Sequence, residues 1–342
     1  MNICFQYILK SYFKRLFSVL FITALVIYLT NSFELLGRFR DHKPLFLLQL
    51  SGLKLPYLIS EISPLICMLS VLWLVNNLVK QNEFIIFFNN CISIRRIIKY
   101  LVLINLCFSL FLLLFISPIS SRYLAQYDQT IDYLRGYDVS RDNLFFKLKG
   151  EKFIHIESLR NNLLSGITIA EVQANDLKRT TFCSLGRIKQ AGQWNLEDCD
   201  IKDGNVQTHQ DNYILQTNVK KKDIRYFEYS PYHLPFWNLP NLVVSLQKLG
   251  MPSSFVELYF YKQITRPLVV ILFSLMPFFF FDLEKHKIWL NSSYVIVASF
   301  TGFLFLSVIA NILTHYTNSA VLCSIVPIAV FLFFILFRIS HI

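Results

Sequence analysis

Residues 16–33 read LFSVLFITALVIYLTNSF, a run without a charged side chain that follows Lys10, Lys14 and Arg15. About 20 such residues carry a helix across the hydrocarbon of a bilayer, where every backbone N–H and C=O must be bonded within the segment. The run is too long for the core of a secretory signal, and no small-residue cleavage site follows it. It reads as a retained membrane span. Working outward, residues 62–79 are uncharged and end at Lys80, and residues 100–121 form a third run after Arg95, Arg96 and Lys99. Residues 267–281 give a fourth. From 288 to 337 the only Asp, Glu, Lys, Arg or His is His315, and the polar group 314–319 divides that stretch into a fifth and a sixth span.

Composition agrees. The 342 residues are 54% hydrophobic and 16% charged, with a mean hydropathy of +0.45; a soluble domain carries roughly 25% charged residues. The net charge of +11 sits largely beside apolar runs, where anionic membrane lipids rather than nucleic acid are the expected partners. Basic residues in short loops mark the cytoplasmic side. The N-terminus, the loop 80–99, the loop 282–287 and the tail with Arg338 fit an N-in, six-span arrangement. The loop 34–54 is the exception, placing Arg38, Arg40, Lys43 and Lys54 outside.

Between the third and fourth spans the chain looks like soluble sequence. Short β-prone segments at 144–148, 152–157, 166–173, 180–190, 193–198 and 212–219 are separated by turn pairs such as Lys149-Gly150 and Asp203-Gly204. That spacing predicts a sandwich, jelly roll or open barrel. Cys183 and Cys199 are the only cysteines in it; an oxidising compartment permits a bond between them, and their spacing leaves the question open.

Catalytic chemistry is missing. No two glycines stand five apart as a phosphate-binding Gly-x4-Gly-Lys-Ser/Thr loop requires, no two histidines stand four apart, and no Gly-x-Ser-x-Gly elbow occurs. The chain is expected to have no catalytic residues, metal or cofactor. Of the intramembrane polar groups, Glu61 and His315 are expected at span ends, where they reach water.

The loop after the second span reads Lys80-Gln-Asn-Glu83-Phe84-Ile-Ile-Phe87-Phe88-Asn-Asn-Cys91-Ile-Ser93-Ile-Arg95-Arg96. Five consecutive apolar residues in a water-facing loop need burial against membrane, chain or partner. A short helix laid in a partner's groove is one solution; a helix lying on the bilayer surface is the other.

This segment resembles the cytoplasmic motif of the YjgP/YjgQ permeases, the LptF/LptG family: Glu83, apolar residues, then Ser93 with Arg95 and Arg96. It departs in having Cys91 where the family usually has Gly and Phe88 where it often has Arg. Gly192-Gln-Trp194-Asn-Leu196 resembles a short strand of the family's insert, and Leu249-Gly250 through Tyr259, Lys262 and Arg266-Pro267 resembles its entry into the fourth span. The stretch Glu34 to Arg40 reads more like LptG than LptF.

The resemblance implies a polytopic α-helical membrane protein with six transmembrane helices and an inserted periplasmic β-jelly-roll-like domain. Residues 1–121 hold spans one to three, with the coupling segment 80–99. Residues 122–254 form the periplasmic domain and residues 255–342 hold spans four to six. It implies a non-catalytic permease subunit in the bacterial inner membrane, paired with an LptF-type paralogue and driven by an LptB ATPase dimer. The subunit passes lipopolysaccharide to LptC. Glu83, Phe84, Phe87, Phe88, Ser93, Arg95 and Arg96 would couple to the ATPase. Arg38, Arg40, Lys43, Lys54, Arg122 and Arg135 would meet the phosphates of lipid A, to which Arg pairs well. Two rivals differ in kind. A lipoprotein-release or FtsX-type subunit usually has four spans with its large domain after the first. A membrane enzyme or scaffold would leave the apolar loop without a role.

Overall fold

The computed structural model describes residues 3–90, 93–136, 141–148, 152–160, 163–173, 176–188, 193–204, 206–217, 230–279, 288–316, 324–325 and 328–329. The chain forms two units, Met1–Tyr127 with Leu258–Ile342, and Asp128–Glu257.

The first unit is helical. Helix α1 (Ile3–Arg38) buries a stripe of Ile8, Tyr12, Leu16 and Val19, spaced for one helical face, while Phe17, Phe21, Ile22, Leu25, Val26 and Phe33 stay exposed. A helix apolar on both its packed and its open faces belongs in lipid. The turn after it is short, because Pro44 opens α2 (Pro44–Glu61) at a position where its missing N–H costs nothing. The expected outer loop 34–54 is therefore mostly helix. Leu47, Leu50 and Ser51 of α2 face α1, and Asn31 Nδ2 donates to the Ser51 carbonyl at 3.2 Å while the Ser32 and Ser51 hydroxyls meet at 2.8 Å.

Helix α3 (Ser63–Lys80) is buried along most of its length, with α1 and the later helices at Ile94–Phe111 and Ile288–Tyr316 packed around it. After the short α4 (Glu83–Asn89), helix α5 (Ile94–Phe111) passes through one π-turn (Leu112–Ile116) into α6 (Ser117–Leu134). The third apolar run thus continues as helix beyond residue 121, since nothing after Ser121 breaks it until Gly136 (φ 74°). Among the described residues, four helical stretches are long and apolar enough to cross a membrane: Phe5–Arg38, Ser63–Lys80, Ile94–Leu134 and Asn291–Ile309. The expected sixth span lies almost wholly outside the described residues.

The second unit is a six-stranded antiparallel sheet, β1 (Arg141–Leu148), β2 (Lys152–Arg160), β3 (Leu163–Gln173), β4 (Asp176–Ile188), β5 (Gln193–Asp203) and β6 (Val206–Gln216), in sequential order. The described strands make a meander and not the Greek-key crossover of a jelly roll. Ile154, Ile156, Leu164, Ile167, Ile169, Trp194, Leu196 and Leu215 fill the inner face. The alternation changes phase at the Ser184–Asp198 position on both strands. Asp198 adopts φ 56° and accepts a 2.8 Å hydrogen bond from the Ser184 hydroxyl, so Cys183 and Cys199 both point inward. They stand opposite one another and form a disulfide. Helix α7 (Leu239–Lys248) follows, and Leu249 completes the sheet's core. Helices α8 (Ser254–Phe279) and α9 (Ile288–Tyr316) continue the chain.

Candidate functional site

Two residues turn the chain from α3 into α4, with Asn82 in the left-handed region (φ 58°) that Asn tolerates. The short helix is then held to its own unit. Phe84, 3% exposed, enters the core formed by Ile8, Tyr12, Leu78, Val79, Ile97 and Leu101. Phe87 packs on the same core, its ring edge-to-face with Tyr7 at 6.3 Å. The Tyr7 hydroxyl donates to Glu83 Oε1 at 2.7 Å, tying α4 to the start of α1. The other face carries Ile85 and Ile86, 57% and 56% exposed. Ser93 precedes α5, and Arg95 and Arg96 lie exposed in its first turn. The side chain of Phe88 and residue Cys91 lie outside the described structure. Five apolar residues in a row suggested uniform greasiness. The fold divides them, with Phe84 and Phe87 inward and Ile85 and Ile86 outward.

The expected phosphate-binding residues are brought together only in part. Arg38 ends α1 and pairs with Glu34 at 2.8 Å across one helical turn, both side chains about half exposed. Arg40 and Lys43 are exposed in the turn that follows, so these three cluster at the α1–α2 corner. Lys54 lies further along α2, its ammonium 5.3 Å from the centre of the Tyr127 ring. Arg122 is exposed on α6. Arg135, also exposed, belongs to the second unit.

A family model described as "Lipopolysaccharide export system permease LptF/LptG" matches residues 6–341, nearly the whole chain. The chain belongs to the LptF/LptG family. No curated protein matches it. LptF/LptG proteins are inner-membrane permeases of lipopolysaccharide export and not a catalytic family, which accounts for apolar helices without catalytic motifs. The match does not separate LptF from LptG.

One constellation in this LptF/LptG chain was not expected from sequence. At the break between α2 and α3, Glu61 Oε1 lies 3.8 Å from Arg266 Nη2, and Arg266 Nη1 donates to the Ser60 hydroxyl at 2.7 Å. One turn earlier on α8, the Lys262 ammonium donates to Asn311 Oδ1 of α9 at 2.7 Å. Glu61 keeps a side chain 43% exposed, as a span end permits, while its Oε2 has no hydrogen-bond partner among the described residues. The available signal was the i, i+4 spacing of Lys262 and Arg266 beside an apolar run, since charge kept at a membrane helix needs a counter-charge or a task.

Proposed function

We propose that the chain is the LptG-branch permease subunit of a lipopolysaccharide exporter, with six spans, both termini in the cytoplasm and the β-sheet unit in the periplasm. It pairs with an LptF-type paralogue, takes its energy from a cytoplasmic LptB ATPase dimer, and delivers lipopolysaccharide from the inner membrane to LptC. Family membership and the distribution of basic residues support this reading.

The observation that carries the mechanism is the two-faced α4. Its inner face, through Phe84, Phe87 and Glu83, is locked to α1, α3 and α5, so a force applied to α4 is passed to three membrane helices. Its outer face offers Ile85 and Ile86, with Arg95 and Arg96 nearby to fix orientation in a charged groove. Burying one such side chain contributes roughly 1.5–3 kcal/mol. The basic corner of Arg38, Arg40 and Lys43 then serves the other end of the path, where phosphates of lipid A arrive.

The test replaces both outer residues, Ile85→Asp with Ile86→Asp, in the purified complex. LptB is expected to be lost, while the chain still folds and keeps its paralogue, because neither side chain enters the core. Retention of LptB at the wild-type ratio with normal stimulated ATPase activity would make α4 a bilayer-surface helix instead.

A further inference from the structure

We propose that the outer face of the sheet, along the row Phe145, His155, Thr168, Phe182, Asp200 and His209, is a platform for the uncharged sugars of the exported glycolipid. Strand register makes the row. These side chains stand opposite one another in turn, one from each strand from β1 to β6. Alternation sets the face. His155 lies between buried Ile154 and Ile156, Thr168 between Ile167 and Ile169, Phe182 between Thr181 and Cys183, and Asp200 between Cys199 and Ile201. All four therefore project away from the core. The row is a stripe of side chains that repeats at the strand spacing of about 4.8 Å, over a length of roughly 24 Å.

Its composition is not that of a solvated face. Phe145 and Phe182 are 57% and 51% exposed. The Phe145 ring stacks on Phe153 at 6.1 Å, 27° from parallel, and the His155 ring lies 6.5 Å from it. Large exposed rings grouped on one face mark a contact surface. Polar groups interleave with them. The Thr168 hydroxyl comes between His155 and Phe182 along the row, and the stripe ends at Asp200, whose Oδ1 lies 2.9 Å from His209 Nδ1. Asp198 and Asp211 stand 3.7 and 3.4 Å from His209 Nε2. An acyl chain would leave these polar groups unanswered. A phosphate would meet three carboxylates around one imidazole, a net negative charge in either protonation state of the ring. A neutral pyranose suits both halves. Its C–H face lies on an aromatic ring, its hydroxyls donate to carboxylate and hydroxyl oxygens, and its length is about one strand spacing, so successive sugars meet successive strands. The inference rests on the export reading, which puts this unit in the periplasm with the glycolipid.

The test places a photo-crosslinker inside the row, Thr168→p-azidophenylalanine, in the full complex. Two probes are compared: lipopolysaccharide with its neutral core hexoses, and the same glycolipid truncated to its phosphorylated inner sugars. The complete probe is expected to crosslink preferentially. Adding Phe145→Ser with Phe182→Ser should lower its yield about tenfold, the loss expected from two aromatic contacts. Adding Phe145→Tyr with Phe182→Tyr should preserve the yield and show that the sheet is intact. Equal yields for the two probes, an unchanged yield in the Ser variant, or no crosslink to glycolipid overturns the platform. Capture of a polypeptide instead would assign the face to a protein partner, and equal capture of free maltoheptaose would assign it to soluble glycans; either result also overturns the proposal. Binding of each probe anywhere in the complex is read separately by co-purification. If neither probe co-purifies, the export reading itself fails; if both do and no crosslink forms, only the platform fails.

Discussion

Phe84 and Ile86 stand two residues apart and face opposite ways, and nothing in their chemistry separates them. Their roles differ because Tyr7 and Phe87 fix the rotation of α4, a tertiary effect that a run of five apolar residues conceals. Glu61 and Arg266 make the same point at longer range, since each was visible as a charge near a span but their partnership depends on how α8 meets the α2–α3 break. A further residue-scale consequence concerns His209, which the carboxylate of Asp200 contacts at 2.9 Å, with Asp198 and Asp211 near the other ring nitrogen. The hydrogen bond to Asp200 raises its pKa above the usual histidine value, and the neighbouring carboxylates add to the shift. A raised folded-state pKa means that the stabilisation is fully present below the unfolded value of about 6.5 and fades as pH climbs through the folded one. Asp200→Asn is expected to lower the His209 midpoint, as read by NMR titration of labelled histidines in the intact chain; an unchanged midpoint would remove Asp200 as the cause.

At the scale of elements, the strands were the most legible part. Gly-containing and polar turn pairs punctuate β-prone runs, so each expected segment overlaps one observed strand. Helix α2 was not legible as such, because the basic residues Arg38, Arg40, Lys43 and Lys54 dominated a stretch that also holds Pro44 and an apolar face of Leu47 and Leu50. The pairing of Cys183 with Cys199 was open in sequence because adjacency depends on strand register and on the phase change at Asp198. With both thiols inward on adjacent strands, the bond constrains the β4–β5 hairpin, and closing a loop of this size contributes roughly 3 kcal/mol. Reduction, or Cys183→Ser with Cys199→Ser, is therefore expected to lower the unfolding temperature of the sheet unit and leave the helical unit unchanged. Thiol labelling of the unreduced, denatured chain should spare these two cysteines, whereas labelling of both would show that the bond is absent.

For the whole molecule, hydropathy and family resemblance pointed to a membrane permease with a β-rich insert, and the match over residues 6–341 places the chain in that family. What sequence left open is the arrangement in space, namely which charges meet and which face of α4 is available. On the proposed reading the basic corner meets phosphates and α4 receives force from the ATPase, while the sheet forms a unit of its own. We propose that this chain works as the membrane half of a machine whose ATPase is a separate protein. The most direct measurement is purification of the affinity-tagged chain from its native membrane, followed by quantitation of partners and of ATPase activity on adding lipopolysaccharide. One LptF-type paralogue and two LptB subunits per chain are expected, with hydrolysis that lipopolysaccharide alters; a chain that purifies alone, or with an ATPase indifferent to lipopolysaccharide, would contradict the proposed function.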